Sequence, residues 1–138
     1  MYGVVMVTIT VDTSVVIAVA TEESSKGALV SATRQTALVA PASLHWEVGN
    51  ALSSMLKQRR IKLAEAERAF AAYRLIPIRF IDVDIVEALR ISAATGLYTY
   101  DTYVLACAKA LGTPLLSLDR GMVAAAKGMD VEVLEVDS

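Results

Sequence analysis

Short runs of aliphatic and β-branched residues alternate along the chain with longer segments in which apolar positions recur every three or four residues. The short runs are bounded by polar or turn-forming residues, a pattern typical of strands that are buried on both faces. The sequence therefore predicts five strands, at Val4–Val11, Ala37–Ala40, Ile78–Ile81, Leu115–Leu118 and Val131–Leu134.

The segments between these strands have the periodicity of amphipathic helices. It is clearest after Ser43, a suitable N-cap residue, where Leu44, Val48, Leu52 and Met55 share one helix face. Further capping candidates are Ser14 or Thr13, Asp84 and Thr99 at helix starts, and Gly96 and Gly112 at helix ends. Helices are predicted at Val15–Ala20, Ser24–Ala32, Leu44–Arg60, Leu63–Tyr73, Ile85–Thr95, Tyr100–Leu111 and Gly121–Lys127.

Alternation of strands and helices predicts the fold class. Strands that are separated by helices pair in parallel through right-handed crossovers, and strands as apolar as these need helices on both faces of the sheet. We expect a single α/β domain over residues 1–138, with three α/β/α layers and a five-stranded, mostly parallel sheet. In such sheets ligands bind beyond the carboxyl ends of the strands.

Composition narrows the class of protein. With 138 residues, 55% of them hydrophobic, the chain is too apolar for a disordered protein and long enough to bury a core. Its longest uncharged stretch, Gln35–Trp46, is shorter than the roughly 18 residues of a membrane span. No basic residue precedes Asp12, so no secretory signal is expected, and the single cysteine, Cys107, suits the reducing cytoplasm.

The charge balance is less informative than its distribution. Thirteen basic and 15 acidic residues give a net charge of −2, which by itself does not favour a nucleic-acid partner. However, basic residues concentrate between Lys57 and Arg79, whereas the last nine residues carry only acids. The cluster Lys57, Arg59, Arg60 and Lys62 is a candidate for contacts with phosphate groups, with a solvated helix end as the alternative.

Four acidic residues occupy positions that are unusual for solvated charges. Asp12 follows the first predicted strand and Asp119 follows the fourth, so both belong at the carboxyl edge of the sheet. Glu47 lies within the apolar stripe of its helix, and Asp101 begins a helix that is otherwise almost entirely apolar. Each has a local alternative as an N-cap, a turn residue or a partner of the helix dipole.

A shared divalent cation explains the four acids together better than four separate local roles. Carboxylate oxygens are the ligands that Mg²⁺ and Mn²⁺ prefer, and such a cation can activate water for phosphodiester hydrolysis. Asp12, Asp101 and Asp119 are the candidate metal ligands, and Glu47 is a candidate for a second ion or for the attacking water. Ser14, Asn50 and Ser117 are placed to orient those carboxylates or bound waters.

In order and spacing, these residues resemble PIN-domain ribonucleases, and among them the VapC-type toxins of toxin–antitoxin pairs. The resemblance runs from Val4 to Val136. It rests on four motifs, Asp12-Thr13-Ser14, Glu47-Val48-Gly49-Asn50, Tyr100-Asp101-Thr102 and Leu116-Ser117-Leu118-Asp119.

The resemblance implies further properties. They are a sheet in the order 3-2-1-4-5, an Mg²⁺ or Mn²⁺ site formed by Asp12, Glu47, Asp101 and Asp119, and cleavage of transfer or ribosomal RNA to 5′-phosphate and 3′-hydroxyl ends. A homodimer and an antitoxin protein that blocks the site with a basic side chain are implied as well.

Other functions remain open at this point. A housekeeping RNA-processing nuclease or a catalytically silent PIN-like binding module would share the same pattern. A haloacid-dehalogenase phosphatase would need a second acid where the chain has Ser14, and a phospho-receiver would need a lysine after the fifth strand. Both of these last two alternatives are disfavoured.

Overall fold

The computed structural model describes residues 7–23 and 26–136. The elements follow the predicted alternation: β1 (Val7–Val11), α1 (Thr13–Ala20), α2 (Lys26–Ala32), β2 (Thr36–Pro41), α3 (Leu44–Lys57), α4 (Leu63–Arg74), β3 (Ile78–Ile81), α5 (Ile85–Thr95), α6 (Thr99–Leu111), β4 (Leu115–Leu116) and α7 (Arg120–Gly128). The predicted starts of the first strand and of the second helix lie outside the described residues.

The strands form a parallel sheet in the order β3-β2-β1-β4, which confirms the predicted fold class. Val7 pairs with Thr36 at one end of the β1–β2 ladder, and Val11 pairs with Leu116 at the carboxyl end of β1. The carboxyl ends of all four strands therefore lie along one edge of the sheet.

The five-strand count was too high for the described residues. The segment predicted as the fifth strand lies beside β4, as expected, but contributes only a single parallel bridge between Leu115 and Val133. Both of its backbone hydrogen bonds to β4 involve Leu115: Leu115 N donates to Glu132 O, and Leu134 N donates to Leu115 O. The reason is that β4 is only two residues long and offers no further pairing positions.

Two hydrophobic clusters place helices on both faces of the sheet. Adjacent residues of a strand point to opposite faces, and Leu116 joins the cluster of α1–α4 whereas Leu115 joins the cluster of α5–α7. Tyr73 and Leu44 are among the largest fully buried side chains of the first cluster, and Leu105 and Met122 of the second. These two clusters give the three layers that the apolar strands predicted. No helix in the described ranges is long and apolar enough to cross a membrane.

The N-cap residues of α1 and α6 differ from those predicted. The N-cap of α1 is Asp12 rather than Thr13 or Ser14, and its carboxylate accepts from the amide of Val15. Tyr98 rather than Thr99 precedes α6. At α5 the predicted caps are present, with Asp84 accepting from two backbone amides and Gly96 in a left-handed conformation, φ 77°.

Candidate active site

Four helix starts bring the four acids to the carboxyl edge of the sheet. Asp12 and Asp119 are the N-caps of α1 and α7, and Glu47 and Asp101 lie in the first turns of α3 and α6. The partial positive charge at a helix N-terminus offsets some of the repulsion between nearby carboxylates. All four side chains line one pocket of about 300 Å³, and no lysine, arginine or histidine of the described residues lies on its walls.

Asp12 is the most buried of the four, with 5% of its surface exposed. Its Oδ1 accepts from Ser14 Oγ at 2.6 Å, and its Oδ2 accepts a very short hydrogen bond from Ser117 Oγ. Burial raises the pKa of Asp12 and the charge of Asp119 adds to that rise, while the hydroxyl and amide donors act in the opposite direction. Its partners therefore fix the orientation of the carboxylate without neutralising its charge.

The two serines connect Asp12 to the β4–α7 loop. Ser14 Oγ accepts from the amide of Leu118 at 2.9 Å, and Ser117 Oγ accepts from the amide of Asp119 at 3.0 Å. The first of these bonds explains why the predicted strand Leu115–Leu118 ends early, because the amide of Leu118 bonds to the site instead of a neighbouring strand. Asp119 is exposed, and its Oδ1 accepts from the amide of Met122 at 3.1 Å.

Glu47 is held by two hydroxyl groups that sequence reasoning missed. Thr13 Oγ1 donates to Oε1 at 3.1 Å and Ser43 Oγ donates to Oε2 at 2.8 Å. Ser43 stands four residues before Glu47, a spacing that places both on one helix face and could have indicated the contact. Burial raises the pKa of Glu47, and the charges of Asp101 and Asp12 add to that effect.

Asp101 is half-buried and has no hydrogen bond or ion pair with any residue in the described part of the chain. Burial raises its pKa, and the charge of Asp119 acts in the same direction. A carboxylate in this position contributes nothing visible to packing or capping. It is therefore the member of the group whose position is hardest to explain by structure alone.

The other predicted residues divide into two groups. Asn50 lines the acidic pocket, yet it bonds to none of the four carboxylates in the region described. Lys57, Arg59, Arg60 and Lys62 are all exposed at the end of α3 and in the following loop. Because α3 rises about 1.5 Å per residue, Lys57 lies about 15 Å along the helix from Glu47. The structure thus separates the basic cluster from the acids.

His45, the one histidine, is not part of the acidic pocket. Its Nδ1 lies 2.8 Å from Tyr73 Oη, and its ring packs against Phe80 with centroids 4.4 Å apart. Burial raises the pKa of Tyr73 to about 12, so that hydroxyl stays protonated near neutral pH. The pocket therefore offers four carboxylates and the phenol of Tyr100, and no imidazole, as its titratable groups.

The donor set suits a hard divalent cation. Within residues 7–23 and 26–136, no three acidic, histidine or cysteine side chains form a ready-made metal cluster. Mg²⁺ commonly keeps several waters and uses only one or two carboxylates, so a site for it does not require three carboxylates at ligand distance. The side-chain ligands that the four acids offer are all oxygen atoms, and no basic side chain of the described residues lies beside them. Both features fit Mg²⁺ or Mn²⁺.

The raised carboxyl pKa values predict an unusual pH dependence of stability. A carboxyl whose folded pKa lies above its unfolded value destabilises the fold when ionised, so stability falls as pH rises above about 4. Without divalent cations, we expect a higher melting temperature at pH 5 than at pH 7. Circular dichroism melts would measure it. Asp12→Asn should reduce this difference in melting temperature, whereas Asp84→Asn, which replaces a cap outside the pocket, should not. The same difference in all three proteins would contradict its attribution to the carboxylates of the pocket.

Fold and site together define an α/β domain with an acidic pocket at the carboxyl edge of its parallel sheet. Comparison with family models identifies it further, because residues 9–128 match the model described as the PIN domain. The chain belongs to the PIN-domain family, which is a family of nucleases. A comparison with curated protein sequences finds no match.

Solved structures share the fold. PAE2754 from Pyrobaculum aerophilum is 26% identical, with a TM-score of 0.69 and 90% of each chain covered. VapC20 of Mycobacterium tuberculosis, described as a toxin that cleaves the sarcin–ricin loop, is 17% identical with a TM-score of 0.60; the match covers 85% of this chain and 94% of VapC20. At that identity the likeness to VapC20 shows the fold alone.

Proposed function

We propose that the protein is a metal-dependent endoribonuclease, the toxin of a toxin–antitoxin pair, acting on transfer or ribosomal RNA. The observation that carries the proposal is the convergence of four carboxylates on one pocket without a compensating basic side chain, in a chain of the PIN-domain family. Leaving four such charges together is costly unless a bound cation offsets them.

Mg²⁺ or Mn²⁺ is the proposed cofactor, with Asp12, Asp101 and Asp119 as its ligands, directly or through water. Bound there, the cation would neutralise charge on the phosphodiester and lower the pKa of a water molecule. Ser14 and Ser117 fix both oxygens of Asp12, which leaves little rotational freedom to lose when the site is filled.

Glu47 is the proposed residue for the attacking water, or for a second cation. Thr13 and Ser43 hold its two oxygens in place, and its raised pKa brings the carboxylate closer to the value of an effective general base. Attack on phosphorus with departure of the 3′ oxygen gives a 5′-phosphate and a 3′-hydroxyl. In this proposal the carboxylates bind, orient and accept protons, and no histidine takes part.

The toxin assignment draws on the sequence resemblance and on the shared fold with VapC20. It implies a cognate antitoxin that covers the acidic pocket with a basic side chain, a homodimer and a cytoplasmic site of action. The pocket is complementary to such a cation, since its walls carry four acids and no base.

Incubation of the protein with a transfer-RNA mixture, ribosomal RNA and a sarcin–ricin loop hairpin, with and without Mn²⁺, tests the proposed activity. We expect Mn²⁺-dependent fragments with 5′-phosphate ends, detected by end labelling. Binding without cleavage of any RNA would favour a silent binding module. Growth arrest on expression, relieved by the neighbouring gene, would separate a toxin from a housekeeping nuclease.

The basic cluster at the end of α3 is proposed to contact RNA phosphates outside the acidic pocket. Arg60→Glu should weaken RNA binding and reduce the slope of log affinity against log salt by about 0.7 for each lost phosphate contact. Fluorescence anisotropy of labelled RNA would measure both effects. Arg34→Glu is the matched control, because Arg34 is exposed beside the amino end of β2, at the opposite edge of the sheet. An equal slope in both variants would contradict this role.

A further inference from the structure

A second cleft lies beside the acidic pocket, at the carboxyl ends of β2 and β3. Its volume is about 280 Å³, and its walls are formed mainly by Pro41, Ile81, Val83 and Ile85, with the ring of Tyr103 on the side of α6. Ile85 is 57% exposed, so the cleft leaves apolar surface open to solvent at the edge where the fold gathers its acids. None of the proposed catalytic steps uses it.

Two contacts join the cleft to the acidic pocket. Ser43 lines the cleft, and its hydroxyl donates to Glu47 at 2.8 Å. Tyr103 meets Tyr100 edge to face, with ring centroids 5.9 Å apart, and Tyr100 lines the acidic pocket. Lining residues of the two cavities are therefore in direct contact, and a polymer whose phosphate occupies the acidic pocket has the cleft beside it.

The cleft combines one aromatic side chain, Tyr103, with one charged group. Asp82 is the only charged side chain on its walls; it is exposed and makes no hydrogen bond or ion pair within the described residues. Unpaired bases stack on aromatic rings, and a carboxylate accepts hydrogen bonds from the amino groups of bases. A second phosphate is disfavoured beside Asp82, so the occupant that fits is a base and not the backbone.

We propose that this cleft binds one unpaired base of the RNA strand next to the scissile phosphate, with Tyr103 as the stacking surface and Asp82 as the acceptor. The proposal rests on the proposed nuclease function, because the phosphate position is taken from it. Adenine, cytosine and guanine carry an amino group on their pairing edge, whereas the one donor of uracil, its imino group, lies between two carbonyl oxygens that a carboxylate repels. The cleft therefore selects against uracil at one position of a single-stranded substrate.

Binding without divalent cations tests the cleft independently of cleavage. The probes are fluorescein-labelled oligo(C), oligo(A) and oligo(U) ribonucleotides of eight residues, measured by anisotropy in EDTA. We expect oligo(C) and oligo(A) to bind the unmodified protein about tenfold more tightly than oligo(U). Asp82→Ala, an exposed substitution that removes the acceptor, should abolish that preference, whereas Glu67→Ala, which removes an exposed acid on α4, should preserve it.

Tyr103→Leu tests the stacking wall with little loss of packed volume. It should weaken all three oligonucleotides by about tenfold and leave their order unchanged, whereas Tyr103→Phe should bind as the unmodified protein does. Equal binding of the three probes, or an unchanged preference in Asp82→Ala, would overturn the cleft assignment even where Mn²⁺-dependent cleavage occurs. If the protein cleaves no RNA but shows a base preference that depends on Asp82, the result would support the base-binding role of the cleft and refute the proposed nuclease function.

Discussion

Asp12→Asn is expected to reduce Mn²⁺-dependent RNA cleavage by more than about 100-fold while the protein stays folded. Loss of an outer partner of a metal ligand commonly costs 10–100-fold, so loss of a ligand itself should cost more. Asparagine is as good an N-cap as aspartate. Its amide oxygen can keep the bonds from Val15 and Ser14, and Ser117 can turn its hydroxyl to accept from the amide NH₂. The measurement is the initial rate of cleavage at saturating Mn²⁺, with circular dichroism as the check on folding.

Asp84→Asn is the matched control for this substitution. Asp84 caps α5 through the amides of Val86 and Glu87, just as Asp12 caps α1, but it lies outside the acidic pocket. It should retain the full rate of cleavage. Similar rates in both variants would mean that Asp12 serves only as a cap, and the site would then have to lie elsewhere.

Asp101→Asn is expected to lower the cleavage rate by a similar factor, more than about 100-fold, and to leave the fold unchanged or slightly more stable. Burial and the nearby charge of Asp119 disfavour ionised Asp101, and removing that charge relieves the cost. The variant should thus lose activity and keep or raise its melting temperature in the absence of cations.

The cleavage rate and the melting temperature of Asp101→Asn together distinguish a catalytic role of this carboxylate from a structural one. A residue that supported the fold would lose stability together with activity when it was replaced. Active Asp101→Asn protein would exclude this carboxylate from the reaction. Inactive protein with a lowered melting temperature would assign it a structural role that its lack of partners in the described residues gives no reason to expect.

Local pattern accounts for most of the fold. Apolar runs and helical periodicity predicted four strands of the sheet and all seven helices, because burial on two faces or on one stripe determines which positions must be apolar. The prediction failed where backbone groups bond to side chains from distant segments. Leu118 leaves the strand to bond to Ser14, 104 residues away, and no local pattern contains that contact.

For the candidate site, the sequence singled out the four acids but not all of the side chains that hold them. The four acids stood out because each occupied a position where a solvated charge is unusual. The hydroxyl groups around Glu47 were missed, since Thr13 lies 34 residues away and reaches Glu47 only after α1 and α3 pack together.

The cation site is tested most directly by isothermal titration of Mn²⁺ into the purified protein, since this measurement needs no knowledge of the RNA target. We expect saturable binding to the unmodified protein and to Asp84→Asn, and a loss of more than about 10-fold in affinity in Asp12→Asn and in Asp101→Asn. Absence of binding, or equal affinity in all four proteins, would contradict the assignment of the four carboxylates to a metal centre.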